Sequence, residues 1–136
     1  MRKKKVILLI ISLAMLLIGL LLYLLLNSKA YISTILLQII PIQTITKDSL
    51  VIGILRGYGA DLLWSASFTL IIQIIVWAKK KKTIYLVFCS LLGIVYELMQ
   101  YFGITTGMAD IVDVVVYILG SILAIIIIQG GNLYEA

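Results

Sequence analysis

Four stretches of this chain are apolar over the length of a membrane crossing, and they limit what it can fold into. Spanning the hydrocarbon core of a bilayer takes about 20 mostly apolar residues in a helix. Residues 6–26 meet this without one charge. Residues 62–78 are shorter and end at lysines. Residues 84–102 contain one charge, Glu97, and residues 111–128 contain one, Asp113, near their start. The expected architecture is therefore all-α: a polytopic bundle of four transmembrane helices, built as one membrane domain over residues 1–136.

Composition agrees with a lipid solvent. Only 12% of residues are charged and 63% are hydrophobic, whereas a soluble domain has about 25% charged residues and under half apolar ones. The net charge of +5 does not point to nucleic acid. Eight of the eleven basic residues lie in two runs, Arg2 to Lys5 and Lys79 to Lys82. Both runs abut apolar stretches, no aromatic residues interleave with them, and such runs write membrane topology. The chain contains no histidine and a single cysteine, Cys89. That excludes Ser-His-Asp and Cys-His catalysis, histidine-ligated metals, an internal disulfide and multi-cysteine metal sites. No cofactor is expected.

A basic start followed by an apolar run also describes a signal peptide, and Ser28-Lys29-Ala30 resembles a small-x-small cleavage site. A signal h-region is typically about 7–15 residues. The run at 6–26 is longer, so it is expected to stay as an uncleaved anchor. With Arg2 to Lys5 on the cytoplasmic side, two crossings return Lys79 to Lys82 to that side and four return the C-terminus. Both basic runs then obey the positive-inside rule. The expected location is the cell membrane, multi-pass, with both termini cytoplasmic.

The outer segment, residues 27–60, is too apolar for a plain soluble loop. Residues 31–40 read as a helix with Ile32, Ile35, Leu36, Ile39 and Ile40 on one side, ended by Pro41. Asp48 and Ser49 are placed to cap a second short helix through Leu55, after which Gly57-Tyr58-Gly59 is expected to turn the chain. Both short helices are expected at the outer interface, or over the outer mouth of the bundle.

Charges inside spans are costly, usually face the bundle interior, and often mark function. Ser90, Gly93, Glu97 and Gln100 recur at helical steps of three and four, as do Asp110, Asp113, Tyr117, Gly120 and Ala124. Asp61, Ser65, Thr69 and Gln73 form a stripe at steps of four. Small and polar residues on such faces let helices approach and hydrogen-bond. Asp61, Asp110 and Asp113 also have a plain reading as first-turn or capping acids at helix N-termini. Glu97 does not: it lies about 7–8 Å inside the C-terminal end of its helix, where the helix dipole disfavours negative charge. It is expected to be protonated, paired with a cation, or open to a wet pocket, with Arg56 the best-placed partner and Lys47 and Lys29 weaker ones. Trp64 and Tyr58, flanking Asp61, suit interfacial anchoring.

The pattern Glu97-x-x-Gln100, nine residues, then Asp110-x-x-Asp113-x-x-x-Tyr117-x-x-Gly120 resembles the hallmark of the VanZ-like family. These are small bacterial integral membrane proteins, one of which is associated with resistance to the glycopeptide teicoplanin. The resemblance is close over about 30 residues and loose back to Asp61. It departs from the family pattern at Tyr117, where the family has asparagine, and lacks the arginine between the two helices. At the second span, Leu62 and Ser65 stand where the family has lysine and histidine. The chain thus resembles a divergent member or a related uncharacterised family. The resemblance implies a compact helical bundle in the cell membrane with an envelope-related role.

Three functions follow as expectations. The first is a non-enzymatic envelope protein whose outer-leaflet pocket binds an amphiphile or a lipid-linked cell-wall component. Glu97, Gln100, Asp110, Asp113 and Tyr117 would line that pocket, with Asp61, Trp64 and Arg56 at its edge. The second is an enzyme acting on a lipid phosphate or ester through a carboxylate-bound divalent metal. The third is a proton- or ion-coupled transporter. The expected partners are the bilayer and such a ligand, with an oligomer or larger membrane complex as a further form.

Overall fold

In lipid, a backbone N–H or C=O without a partner costs several kcal/mol, so an apolar chain must satisfy its peptide groups within each segment. The computed structural model describes residues 2–26, 31–40, 44–45, 49–75, 82–104 and 110–130, and every regular element among them is helical. The elements are α1 (Arg2–Leu26), α2 (Tyr31–Ile39), α3 (Leu50–Ile54), α4 (Ala60–Ile75), α5 (Lys82–Tyr101) and α6 (Ile111–Gly130). Among the described residues, three stretches are long and apolar enough to cross a membrane: Lys3–Leu26, Leu50–Ile75 and Ile111–Gln129. The remaining long helix, α5, has 20 residues, as α6 does.

The second membrane-length helix departs from the expected boundaries. Ser49 caps α3, its Oγ accepting from the Ile52 N–H at 3.2 Å. Asp48, its expected companion, lies outside the described residues, as do Pro41, Lys29 and Lys47. The chain does not turn at Gly57-Tyr58-Gly59. Instead Leu55–Gly59 forms a π-helical turn that joins α3 to α4 without a break. In lipid a turn would leave peptide groups unpaired, whereas a π turn absorbs a residue and keeps the helical bonding.

Helix packing uses the small and polar residues. Helices α1 and α4 run antiparallel: Gly19 faces the Trp64 indole, and Leu22 approaches Gly59. Ser12 and Ser67 join the pair midway, with Ser67 Oγ donating to the Ser12 carbonyl at 2.9 Å and the two hydroxyls 3.0 Å apart. Helices α4 and α6 run parallel. Gly120 packs against Leu62, Ser65 and Ala66, and Thr69 Oγ1 lies 3.0 Å from Ser121 Oγ. Leu8, Ala66, Leu70, Ala124 and Ile128 form the apolar core shared by α1, α4 and α6. Helix α5 runs antiparallel to α6, Gly93 lying under the Tyr117 ring.

The neighbour order is therefore α1, α4, α6, α5, and α4 touches α5 less than either touches α6. A groove opens between α4 and α5, floored by α6. These directions put Lys3 to Lys5, Ile75, Lys82 and Ile128 at one end of the bundle, with Asp61, Glu97, Asp110 and Asp113 at the other. The outward surface is apolar: Val6, Ile10, Leu13, Leu17 and Leu21 recur at helical steps along the exposed side of α1. That suits contact with acyl chains, since such an apolar face has no favourable place in water.

Candidate functional site

Glycine and aspartate chemistry builds the hairpin that carries the expected motif. Helix α5 ends in a Schellman arrangement. Gly103 sits at φ +68°, its N–H donates to the Gln100 carbonyl at 2.9 Å, and the Ile104 N–H donates to the Met99 carbonyl at 2.8 Å. Only glycine takes this conformation at little cost. At the other side of the loop, Asp110 caps α6. Its Oδ1 accepts from the Val112 N–H at 2.9 Å and its carbonyl accepts from the Asp113 N–H at 3.1 Å.

Glu97 is drawn into this cap. It is only 7% exposed, and its Oε2 accepts from the backbone N–H of Asp110 at 3.0 Å. The expectation that no capping role explains Glu97 is therefore corrected. The hairpin lays the last turns of α5 beside the first turn of α6, where free N–H groups and a favourable dipole await an acidic side chain. The unfavourable dipole at the end of its own helix is offset by that neighbour.

Asp61 undergoes the opposite revision. Its plain reading placed it at a helix N-terminus, but the π turn makes the helix continuous from Leu50, so Asp61 lies well inside it. The backbone N–H groups around it are used within the helix, so capping does not account for it. Among the described residues no hydrogen-bond donor is placed on its carboxylate, which is half-buried. The carboxylates of Asp61, Glu97 and Asp113 gather at this end of the bundle, with Asp110 beside Asp113.

Asp61 opens onto a cavity of about 320 Å³ in the α4–α5 groove. Helix α4 contributes Asp61, Trp64, Ser65 and Phe68; α5 contributes Leu92, Gly93 and Tyr96; α6 contributes Tyr117. The hydroxyl of Ser65 turns back to the Leu62 carbonyl at 3.0 Å, so it is already occupied. Trp64 is braced from behind by Tyr23, with ring centroids 5.8 Å apart, and by Gly19. Tyr117 is held against Gly93, where an added Cβ would come within 2.5 Å of the ring. The result is a pocket with aromatic walls and one carboxylate.

Of the residues singled out from the sequence, Asp61, Trp64 and Tyr117 line this cavity. Glu97 and Asp113 lie near it without lining it, Asp110 is an exposed cap, and Gln100 and Arg56 are half-buried outside the lining. The expected inward stripe on α4 is present: Ser65, Thr69 and Gln73 are all buried. Phe68, Leu92 and Tyr96 were not expected as site residues. Tyr96 alone carried a signal, being next to Glu97 on a helix whose Gly93 faces inward. The side chains of Cys89 and Ser90 fall outside the described residues. Among the described residues, no three acids or thiols are grouped so as to hold a metal ion.

Comparison of the chain with protein-family models, with curated proteins and with solved structures found no match.

Proposed function

We propose that this is a non-enzymatic, VanZ-like protein of the bacterial cell envelope, crossing the membrane four times with both termini cytoplasmic. Its outer-leaflet groove between α4 and α5 binds an amphiphile or a lipid-linked cell-wall component. The observation that carries this reading is the cavity of about 320 Å³ at the acidic end of the bundle. It has the size of a small-ligand site, mostly apolar with few polar groups, as such sites are. Support for the orientation comes from Lys3 to Lys5 and Lys82 gathering at the opposite end, where the positive-inside rule puts them in the cytoplasm. Support for an envelope role comes from the Glu97-x-x-Gln100 and Asp110-x-x-Asp113 pattern, whose residues meet in one helical hairpin.

A lipid phosphatase or esterase working through a bound divalent metal needs several oxygen ligands around one ion. The acids described here do not form that group. Coupled transport has no supporting feature, since four crossings without a repeat differ from the usual transporter plan.

The test is made in cells lacking the native gene and complemented with variants. Asp61→Asn and Tyr117→Phe are expected to lose the chain's effect on teicoplanin susceptibility and envelope stress while the protein still accumulates in the membrane. If both variants complement like the unaltered chain, the groove is not the working site.

A further inference from the structure

An acid and a ring of aromatic side chains in one pocket is a combination with a specific chemistry. Aromatic faces carry negative electrostatic potential and attract cations lying over them, most strongly when water is excluded. An alkylammonium group is met well by such walls, because its methyl or methylene surface packs on the rings while its charge is balanced by a carboxylate. An anionic head would face the opposite: a carboxylate of its own sign and a wall of π electrons.

Asp61 is the charged residue of the cavity lining, and among the described residues nothing donates a hydrogen bond to it. A carboxylate at membrane depth without a donor is costly unless a cation approaches it. Glu97 and Asp113 add their fields at the same end. Trp64 and Tyr117 are held in place by Gly19 and Gly93, so these two walls are formed before any ligand arrives. The third wall, Tyr96, stands at the rim and is 44% exposed, beside the outward-facing Phe68 and Leu92. The pocket thus sets one carboxylate among aromatic walls and has an apolar mouth, which matches an alkylammonium head within and a chain lying along the outside of the bundle.

We infer that the groove receives the ammonium head group of a cationic membrane amphiphile, with Asp61 as counter-ion and Trp64, Tyr96 and Tyr117 as the aromatic cage. This rests on the reading of the groove as an amphiphile site and narrows the head group it takes.

The chain carries two tryptophans, so a Trp77→Phe background leaves Trp64 as the sole reporter. The full-length protein in uncharged dodecyl maltoside micelles is titrated with dodecyltrimethylammonium and, separately, with dodecyl sulfate, following Trp64 emission. Saturable change with the ammonium probe and none with the sulfate is expected. Asp61→Asn is expected to weaken that binding at least about tenfold, as loss of a buried charge partner does. Tyr96→Phe keeps the aromatic face and is expected to bind within about twofold of the parent, whereas Tyr96→Leu keeps only the apolar bulk and is expected to bind several-fold more weakly. The Tyr96 pair lies at the rim, so it decides the matter even if Asp61→Asn fails to fold. Equal binding of both probes, or a Leu variant equal to the Phe variant, overturns the ammonium assignment while leaving an amphiphile groove standing. No saturable change with either probe removes both readings.

Discussion

Replacing Glu97 separates a structural acid from a functional one. Its Oε2 holds the Asp110 N–H at 3.0 Å across the α5–α6 hairpin. Glu97→Gln leaves an amide oxygen where the carboxylate oxygen was, so this bond survives while the charge near the α6 N-terminus is lost. Such a charge–dipole interaction contributes about 0.3–1 kcal/mol. Glu97→Ala removes the acceptor as well, and an unsatisfied buried donor costs about 1–3 kcal/mol. Asp110 is itself exposed, so water takes over part of its N–H, which puts that term near the lower end. The expected losses are about 0.5 kcal/mol for Gln and about 2 kcal/mol for Ala. Unfolding followed by circular dichroism in mixed micelles measures the totals. Hydrogen exchange at the Asp110 amide reads the bond directly: it stays protected in the Gln variant and exchanges at least about tenfold faster in the Ala variant, tenfold being about 1.4 kcal/mol. Equal destabilisation by both changes, with Asp110 equally exposed, would refute the cap and leave charge as the property that matters at position 97.

Gly93→Ala is expected to push Tyr117 off α5 and destabilise the hairpin by about 1–3 kcal/mol, since the new methyl meets the ring at 2.5 Å; thermal melting in detergent checks it. Ser12 and Ser67 are expected to couple by about 0.6 kcal/mol in a double-mutant cycle to alanine, the usual worth of an interhelical hydrogen bond in a membrane bundle. Asp61→Asn is expected to leave stability unchanged or to raise it by up to about 1 kcal/mol, since the carboxylate caps nothing; a clear loss in the same melting assay would show that its role is structural.

The all-helical class and three membrane-length helices were legible because length and charge are written residue by residue in the apolar stretches. The inward faces were legible because helical steps of three and four are fixed by geometry, and Ser65, Thr69, Gln73, Gly93 and Gly120 are indeed buried. The continuity of α3 and α4 was not. Gly57-Tyr58-Gly59 reads as a turn under rules learned in water, where a broken helix hydrates its peptide groups; beside lipid the helix stays whole. The Glu97 cap was hidden because its partner lies 13 residues away and is met only once the hairpin closes. The cavity was hidden for a different reason. Phe68, Leu92 and Tyr96 look like lipid-facing residues, and they line a pocket only because α5 leans on α6 more than on α4.

The acids at this end of the bundle therefore divide by what the backbone offers each of them. Asp110 and Glu97 meet N–H groups that open α6, and Asp113 lies in the first turn of that helix, where the dipole suits it. Each of those three has a role that the fold itself supplies. Asp61 meets none of these, because the π turn extends its helix upstream and leaves it no free N–H groups to cap. Among the described residues no donor is placed on its carboxylate, and what stands before it is an aromatic-walled cavity. The residue hardest to justify by folding is thus the one that lines the cavity, so on the proposed reading Asp61, more than Glu97, is the residue to test.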